Sequence, residues 1–388
     1  MTWVVGDLLT GRRIQTLRPL SGDWSEVLND AGDVSCAVSL SDRTNRRLGL
    51  AESAAVGKAF LAAIEGDTVL QAGPIWQHTF DESTERLTLS AKGMWSYFDH
   101  RIVLPVLAGR NPTDSSTDTR FSDVVSDPDA PGYPWAVDTR ESLQTIAKRL
   151  VEQAQSWTNG DVPVVLPDET SGESERWYKG SALGFVGQRL KELASVEGGP
   201  DIMFTPRFQT DRLGIEWVMR TGTPDEPLLY SAQRQVFQLG IARSSLSRLV
   251  VKVDGTRLAS QGFAVGGRTD GQGLITVSSD STLTDAGYPL LETLDSSHAT
   301  VSEESTLQEY SNELVLAGRL PATTWSFDHQ LTQRPYLESF NAGDFATVSV
   351  RNNAYIRDGR YSMRILTRSG DALGQKVSLT FTPEVSVG

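Results

Sequence analysis

Residues 180–208 read GSALGFVGQRLKELASVEGGPDIMFTPRF, and few arrangements satisfy that stretch. Ala182, Phe185, Val186, Leu190, Leu193 and Ala194 recur at three- and four-residue steps, which places them on one stripe of an α-helix. Ser181 stands where an N-cap hydroxyl can accept from a free amide of the first turn. Gly198, Gly199 and Pro200 stop the helix, because glycine tolerates positive φ and proline cannot donate onward. Asp201–Phe204 and Leu213–Val218 follow as two strands around a polar turn. An amphipathic helix laid against a hairpin is a compact α/β unit.

The sequence on either side reads mainly as β. Arg13–Leu17, Val34–Leu40, Ala59–Ile64, Thr68–Gln71 and Arg86–Ala91 are strand candidates, with Glu65-Gly66-Asp67 as a hairpin turn. Gly73-Pro74-Ile75-Trp76 starts a further strand, and the aromatics of Gly93–Phe98 plug the end of this module. Ala108 to Tyr133 is rich in Asp, Ser, Thr and Pro and reads as a linker or surface loop. Asp138 and Glu141 suit a capping box opening a helix with Leu143, Ile146, Ala147, Leu150, Val151 and Ala154 on one face. After Tyr230, Leu249, Val251 and Val253 alternate before Asp254-Gly255, a hairpin signal. Thr300 and Glu303 suggest another capping box, before a helix through Leu307, Tyr310, Leu314 and Val315. Phe345–Val350, Tyr361–Thr367 and Lys376–Phe381 close the chain as strands. The expected class is α+β, mainly β: two small antiparallel barrel-like domains, an α/β domain and a helical insertion. The expected boundaries are 1–105 for the first barrel-like domain and 106–229 for the α/β domain. The second barrel-like domain takes 230–388, with its helix at about 300–318.

A formal charge of −13 argues against a nucleic-acid binder, which needs cations for phosphates. The single cysteine, Cys36, alternates in phase with Val34 and Val38, so its thiol is expected in a core rather than at work as a nucleophile. The N-terminus lacks the basic start and apolar run of a signal peptide. No stretch approaches the roughly 20 apolar residues of a membrane span. Gly262 to Thr269 has the glycine spacing of a phosphate loop, but Arg268 stands where that motif needs Lys, and a strand follows where it needs a helix. A glycine-rich loop between strands is expected. His78, His100, His298 and His329 are scattered, in no metal-ligand spacing. No catalytic, cofactor-binding or metal-ligating residue is nominated, and nothing argues for an enzyme.

The first module carries Gly22-Asp23-Trp24-Ser25, Asn29-Asp30-Ala31-Gly32, Ala72-Gly73-Pro74-Ile75 and Gly93-Met94-Trp95-Ser96-Tyr97-Phe98. With these it resembles the opening of minor tail proteins of long-tailed phages of actinobacteria. GGPDIMF after a helix resembles their central domain. Thr300 to Leu314, Ala342-Gly343-Asp344, Asp358-Gly359, Met363-Arg364-Ile365 and Gly374 resemble their last. The resemblance implies a baseplate or tail-tip hub, a homotrimer whose six barrels adapt a six-fold tail tube to a three-fold tip. The implied partners are the distal tail protein ring, the C-terminus of the tape-measure protein, and other minor tail or receptor-binding proteins. Genomic DNA would only pass through the channel, with no stable nucleic-acid binding, and the protein would reside at the virion's tail tip after assembly in the host cytoplasm. A carbohydrate-binding adhesin is the competing class, since nine Trp could stack on sugars. A cell-wall hydrolase is third. Trp3, Trp24, Trp76 and Trp95 lie beside strand and turn signals, where core packing is the commoner fate.

Overall fold

Strand alternation and turn chemistry shape the first hundred residues much as the sequence suggests. A computed structural model describes residues 1–42, 45, 49–103, 135–179, 183–196, 199–222, 229, 234–242, 244–269, 272–298, 304–372, 374 and 376–384. It divides into two units, Met1–Arg248 with Phe327–Gly388, and Leu249–Ser326. The larger unit begins with β1 (Thr2–Asp7), β2 (Arg13–Leu17), β3 (Ser21–Val27) and β4 (Asp33–Ser39). A helical turn, α1 (Leu50–Ser53), precedes β5 (Ala59–Glu65), β6 (Thr68–Asp81) and β7 (Arg86–Lys92). On β4, Val34, Cys36 and Val38 are buried, as alternation requires. β5 and β6 meet across Gly66-Asp67, with Gly66 at φ 55°, the positive φ a two-residue hairpin demands. Gly73–Trp76 does not begin a new strand. It continues β6, which pairs with β5 as far as Pro74 and with β7 from Ile75 onward. A register shift between Ile75 and Gln77 bends the strand where it changes partner.

The α/β layer opens with α2 (Trp95–Phe98), β8 (Trp135–Glu141), α3 (Leu143–Gln155), β9 (Val164–Val165) and β10 (Ser174–Lys179). It continues with α4 (Val186–Ser195), β11 (Asp201–Phe208) and β12 (Ile215–Gly222). Asp138 and Glu141 belong to β8, and Ser142 caps α3, its hydroxyl accepting from the Thr145 amide at 3.1 Å. The cap therefore lies four residues later than expected, at Ser142 rather than Asp138. Residues 104–134, which include the expected linker, lie outside the described residues, as do Ser181 and Gly198. β11 and β12 form the expected hairpin, and β9 adds parallel to β12. One core runs from the first sheet into this layer, joining Val4, Phe60, Trp95, Phe98, Leu150 and Trp217. Trp217 donates from Nε1 to the Ala72 carbonyl at 2.8 Å and meets Phe60 edge-on at 5.5 Å. Trp95 and Phe98 do not simply plug a barrel: both rings pack on Phe204 of β11.

The chain returns to the large sheet with β13 (Gln235–Leu239) and β14 (Leu246–Asp254). The smaller unit then supplies β15 (Gln261–Thr269), β16 (Gln272–Ser279), α5 (Thr282–Asp285), β17 (Glu292–His298) and α6 (Glu304–Gly318). Finally come β18 (Ala322–Gln330), β19 (Phe345–Val350), β20 (Gly359–Asp371) and β21 (Lys376–Pro383). The large sheet has thirteen strands, ordered β14-β18-β21-β20-β3-β4-β7-β6-β5-β1-β2, with β19 also on β20 and β13 on β19. Strands from the two β-rich regions thus share one sheet, joined where β20 pairs with β3. The strand path is open, and among the described residues it closes into no barrel. The class is mainly β with α/β additions.

Within the smaller unit the sheet order is β16-β15-β17. The Gly262–Thr269 stretch is a strand, β15, rather than a loop. Gly262 is needed there because a Cβ would lie 2.9 Å from Cβ of Leu314 and 3.0 Å from the Ser311 carbonyl, both on α6. Asp254-Gly255 makes no hairpin, since the neighbour of β14 is β18. Asp254 instead accepts from the Thr256 amide and hydroxyl, closing a local turn. Thr300 and Glu303 lie outside the described residues.

Candidate functional site

Cys36 and the histidines carry the most reactive side-chain chemistry in the chain. The Cys36 thiol is 1% exposed, and burial pushes its pKa up to about 12, so it is protonated and inert at neutral pH. His329 is buried between two carbonyls, with Nδ1 3.1 Å from Ser245 O and Nε2 2.8 Å from Pro335 O. Burial lowers its pKa, and the neutral ring, with a single N–H, donates to one of the two carbonyls. His100 stacks on Trp76, ring centroids 4.3 Å apart. His78 lies on the exposed outer half of β6 and His298 at the end of β17. Among the described residues no group of three His, Cys, Asp or Glu could hold a metal ion. No helix among them is long and apolar enough to cross a membrane.

The polar chemistry of the larger unit concentrates instead on a seam between sequence-distant segments. At its centre, Glu26 of β3 accepts from Nε of Arg368 on β20, with both side chains almost fully buried. Glu26 also accepts from the Ala342 amide at 2.9 Å. Arg368 donates through NH1 to the carbonyls of Phe340 and Leu337, at 2.7 and 3.2 Å, and its guanidinium lies 5.7 Å from the Trp24 ring centre. Asp344 is 6% exposed, and its pKa rises to about 6 because burial, with the Glu26 charge adding, disfavours its ionised form. A second cluster ties down the start of β11. Asp201 accepts from Asn29 at 2.8 Å and pairs with Arg364 at 2.6 Å, while the Asn29 side-chain oxygen takes the Ile202 amide at 2.7 Å. The GGPD turn therefore feeds directly into residues from both β-rich regions. Sequence reasoning nominated none of these groups. The readable sign was Glu26 itself, a carboxylate in phase with Gly22 and Trp24 on the buried face of β3.

On the opposite face of the same strands lies a cleft of about 440 Å³. Its charged lining is Asp23, Asp33, Asp328, Asp371, Arg248 and Lys376. Arg248 pairs with Asp328 at 3.1 Å, and Lys376 stands 3.7 Å from the same carboxylate. Trp24 also lines the cleft, but the residue is 1% exposed and its ring packs by Arg368. No aromatic platform for a sugar is offered there. Trp3 and Trp95 are also buried to within 1%, so with Trp24 they have the core role expected of them, while Trp76 is only partly buried and packs on His100.

No family model matches the chain, and no curated protein does. Solved structures with the same fold do exist. A tail protein from Neisseria meningitidis aligns over 100% of this chain and 98% of its own, at 13% identity and a TM-score of 0.56. The 43 kDa tail protein of prophage MuSo2 from Shewanella oneidensis aligns over 98% and 97%, at 11% identity and a TM-score of 0.55. A prophage tail protein, gp18, from Listeria monocytogenes aligns over 100% and 95%, at 11% identity and a TM-score of 0.50. The likeness runs end to end, through both units and the α/β layer.

Proposed function

We propose that this chain is a structural protein of a long-tailed phage tail, serving as the hub at the distal tip. The observation that carries the reading is the end-to-end fold likeness to tail proteins from three different bacteria. A catalytic domain grafted onto the scaffold would leave a large unaligned segment of this chain, and each alignment leaves at most 2% of it uncovered. In the proposed assembly, three chains form a ring, and the two β-rich regions of each give six docking lobes for a six-fold tube. The lower side then presents three-fold symmetry to the receptor-binding proteins. The distal tail protein ring and the C-terminus of the tape-measure protein are its upper partners.

Three chains at −13 each also suit a channel that DNA leaves without sticking, since a net negative field repels phosphates. The sugar-binding alternative has less support, because the cleft lacks an exposed ring. The test is a reconstruction of assembled tails with this chain located by a label. Three copies per tail around a neutral or acidic channel are expected. Six copies, or a channel lined with Lys and Arg, would refute the proposal.

A further inference from the structure

The smaller unit buries one face of its sheet and leaves the other bare. On β15, Gly262 and Ala264 are buried, and Gly262 lies directly beneath α6. On β16, Thr276 donates to the Leu307 carbonyl of the same helix at 2.9 Å. Side chains one residue out of phase must point the other way. Register aligns Val277, Phe263 and Leu294 in a row across the three strands, with Val265 opposite Ile275 in the next. Ile275, Val277 and Leu294 are 62%, 46% and 64% exposed, and Phe263 and Val265 are half-buried. Five neighbouring apolar side chains on an uncovered sheet face exceed the scattered exposure normal for a surface.

Charge selects what covers this face. Residues 249–326 hold ten Asp and Glu against four Lys and Arg, nearly half the chain's net −13 in a fifth of its length. Among the described side chains on the bare face, the charged one is Glu292, at the edge beside Leu294. A second copy of the chain would bring one acidic unit against another. We propose that this face is the docking site for a basic amphipathic helix of another protein. Its apolar stripe would lie across Val277, Phe263 and Leu294, and its Lys or Arg residues would meet the acidic surroundings. Such a helix would complete the α–β–α layering that α6 begins. The inference goes beyond the tail reading and does not depend on it.

The purified full-length chain is sufficient for the test. The probes are two labelled peptides of about 18 residues, one with Leu and Lys on opposite helical faces and one with Leu and Glu. Fluorescence anisotropy is expected to show binding of the Lys peptide and none of the Glu peptide. The double variant Ile275→Asp/Leu294→Asp is expected to weaken the Lys peptide about tenfold or more, although it adds two negative charges. Equal or tighter binding by that variant would reduce the effect to bulk electrostatics and overturn the proposal. Absence of binding by the parent chain would also overturn it. So would a concentration-dependent self-association of the parent chain that the double variant abolishes, which would make the occupant a second copy. Ile275→Ser and Leu294→Ser, milder changes at the same exposed positions, guard against loss of fold in the Asp variants.

Discussion

Asp344 and Arg368 turn a buried polar seam into measurable behaviour. The folded chain holds a proton on Asp344 up to about pH 6, whereas the free side chain titrates near 3.8. Stability from this group is therefore fully present below the lower value and is lost as pH rises through about 6. Asp344→Asn keeps an acceptor for the Asn341 amide and removes the cost of ionisation. It is expected to raise stability at neutral pH by up to about 3 kcal/mol and to flatten the decline between pH 4 and 6. Thermal melts across that range check both, and an unchanged slope would count against the assignment. Arg368→Met strands the buried Glu26 carboxylate and is expected to cost about 3–5 kcal/mol in urea unfolding, with Glu26→Gln in the same chain recovering part of it. Arg368→Lys recovers less, because one ammonium cannot reach Glu26 and both the Leu337 and Phe340 carbonyls in the geometry of a guanidinium fork.

At the scale of the element, the stop after α4 works by close approach. Gly199 donates to the Val196 carbonyl at 2.9 Å, and a Cβ there would stand 2.2 Å from the Leu193 carbonyl. Gly199→Val is expected to destabilise the chain by about 1–3 kcal/mol, and an unshifted melting temperature would contradict this reading of the turn. Elements such as β2, β4, β7 and β11 were legible in the sequence because their alternation is local and their turns carry Gly, Asp or Pro. Gly262–Gly267 was misread as a loop for an equally physical reason. Gly262 serves a helix packed above the strand, and that helix begins more than forty residues further on. Asp254-Gly255 has hairpin chemistry but no partner strand beside it, since β14 pairs with β18 across the whole insertion. The charged seam was invisible for the same reason, as nothing local in Glu26 names Arg368.

The thirteen-stranded sheet draws strands from both ends of the chain, and residues 249–326 are inserted in the sequence between them. Arg248 and Asp328 flank the insertion and pair at 3.1 Å, so its two ends can be joined by a few residues. Replacing 249–326 with a short Gly-Ser linker is expected to leave the larger unit folded, with a cooperative melt and unchanged pH dependence at Asp344. Loss of cooperativity would show that the division into two units is not energetic. The pairing of β3 with β20 has a further consequence, in time rather than in space. Glu26 must wait for Arg368, 342 residues later, and at ribosomal speeds that wait is on the order of 20 to 70 s. Through it β3 has an open edge and Glu26 an unmet charge. The nascent chain can fold its first hairpins early, but the sheet seals only when nearly all of it has been made. A chain cut short before Arg368 therefore leaves the β20-facing edge of β3 unpaired.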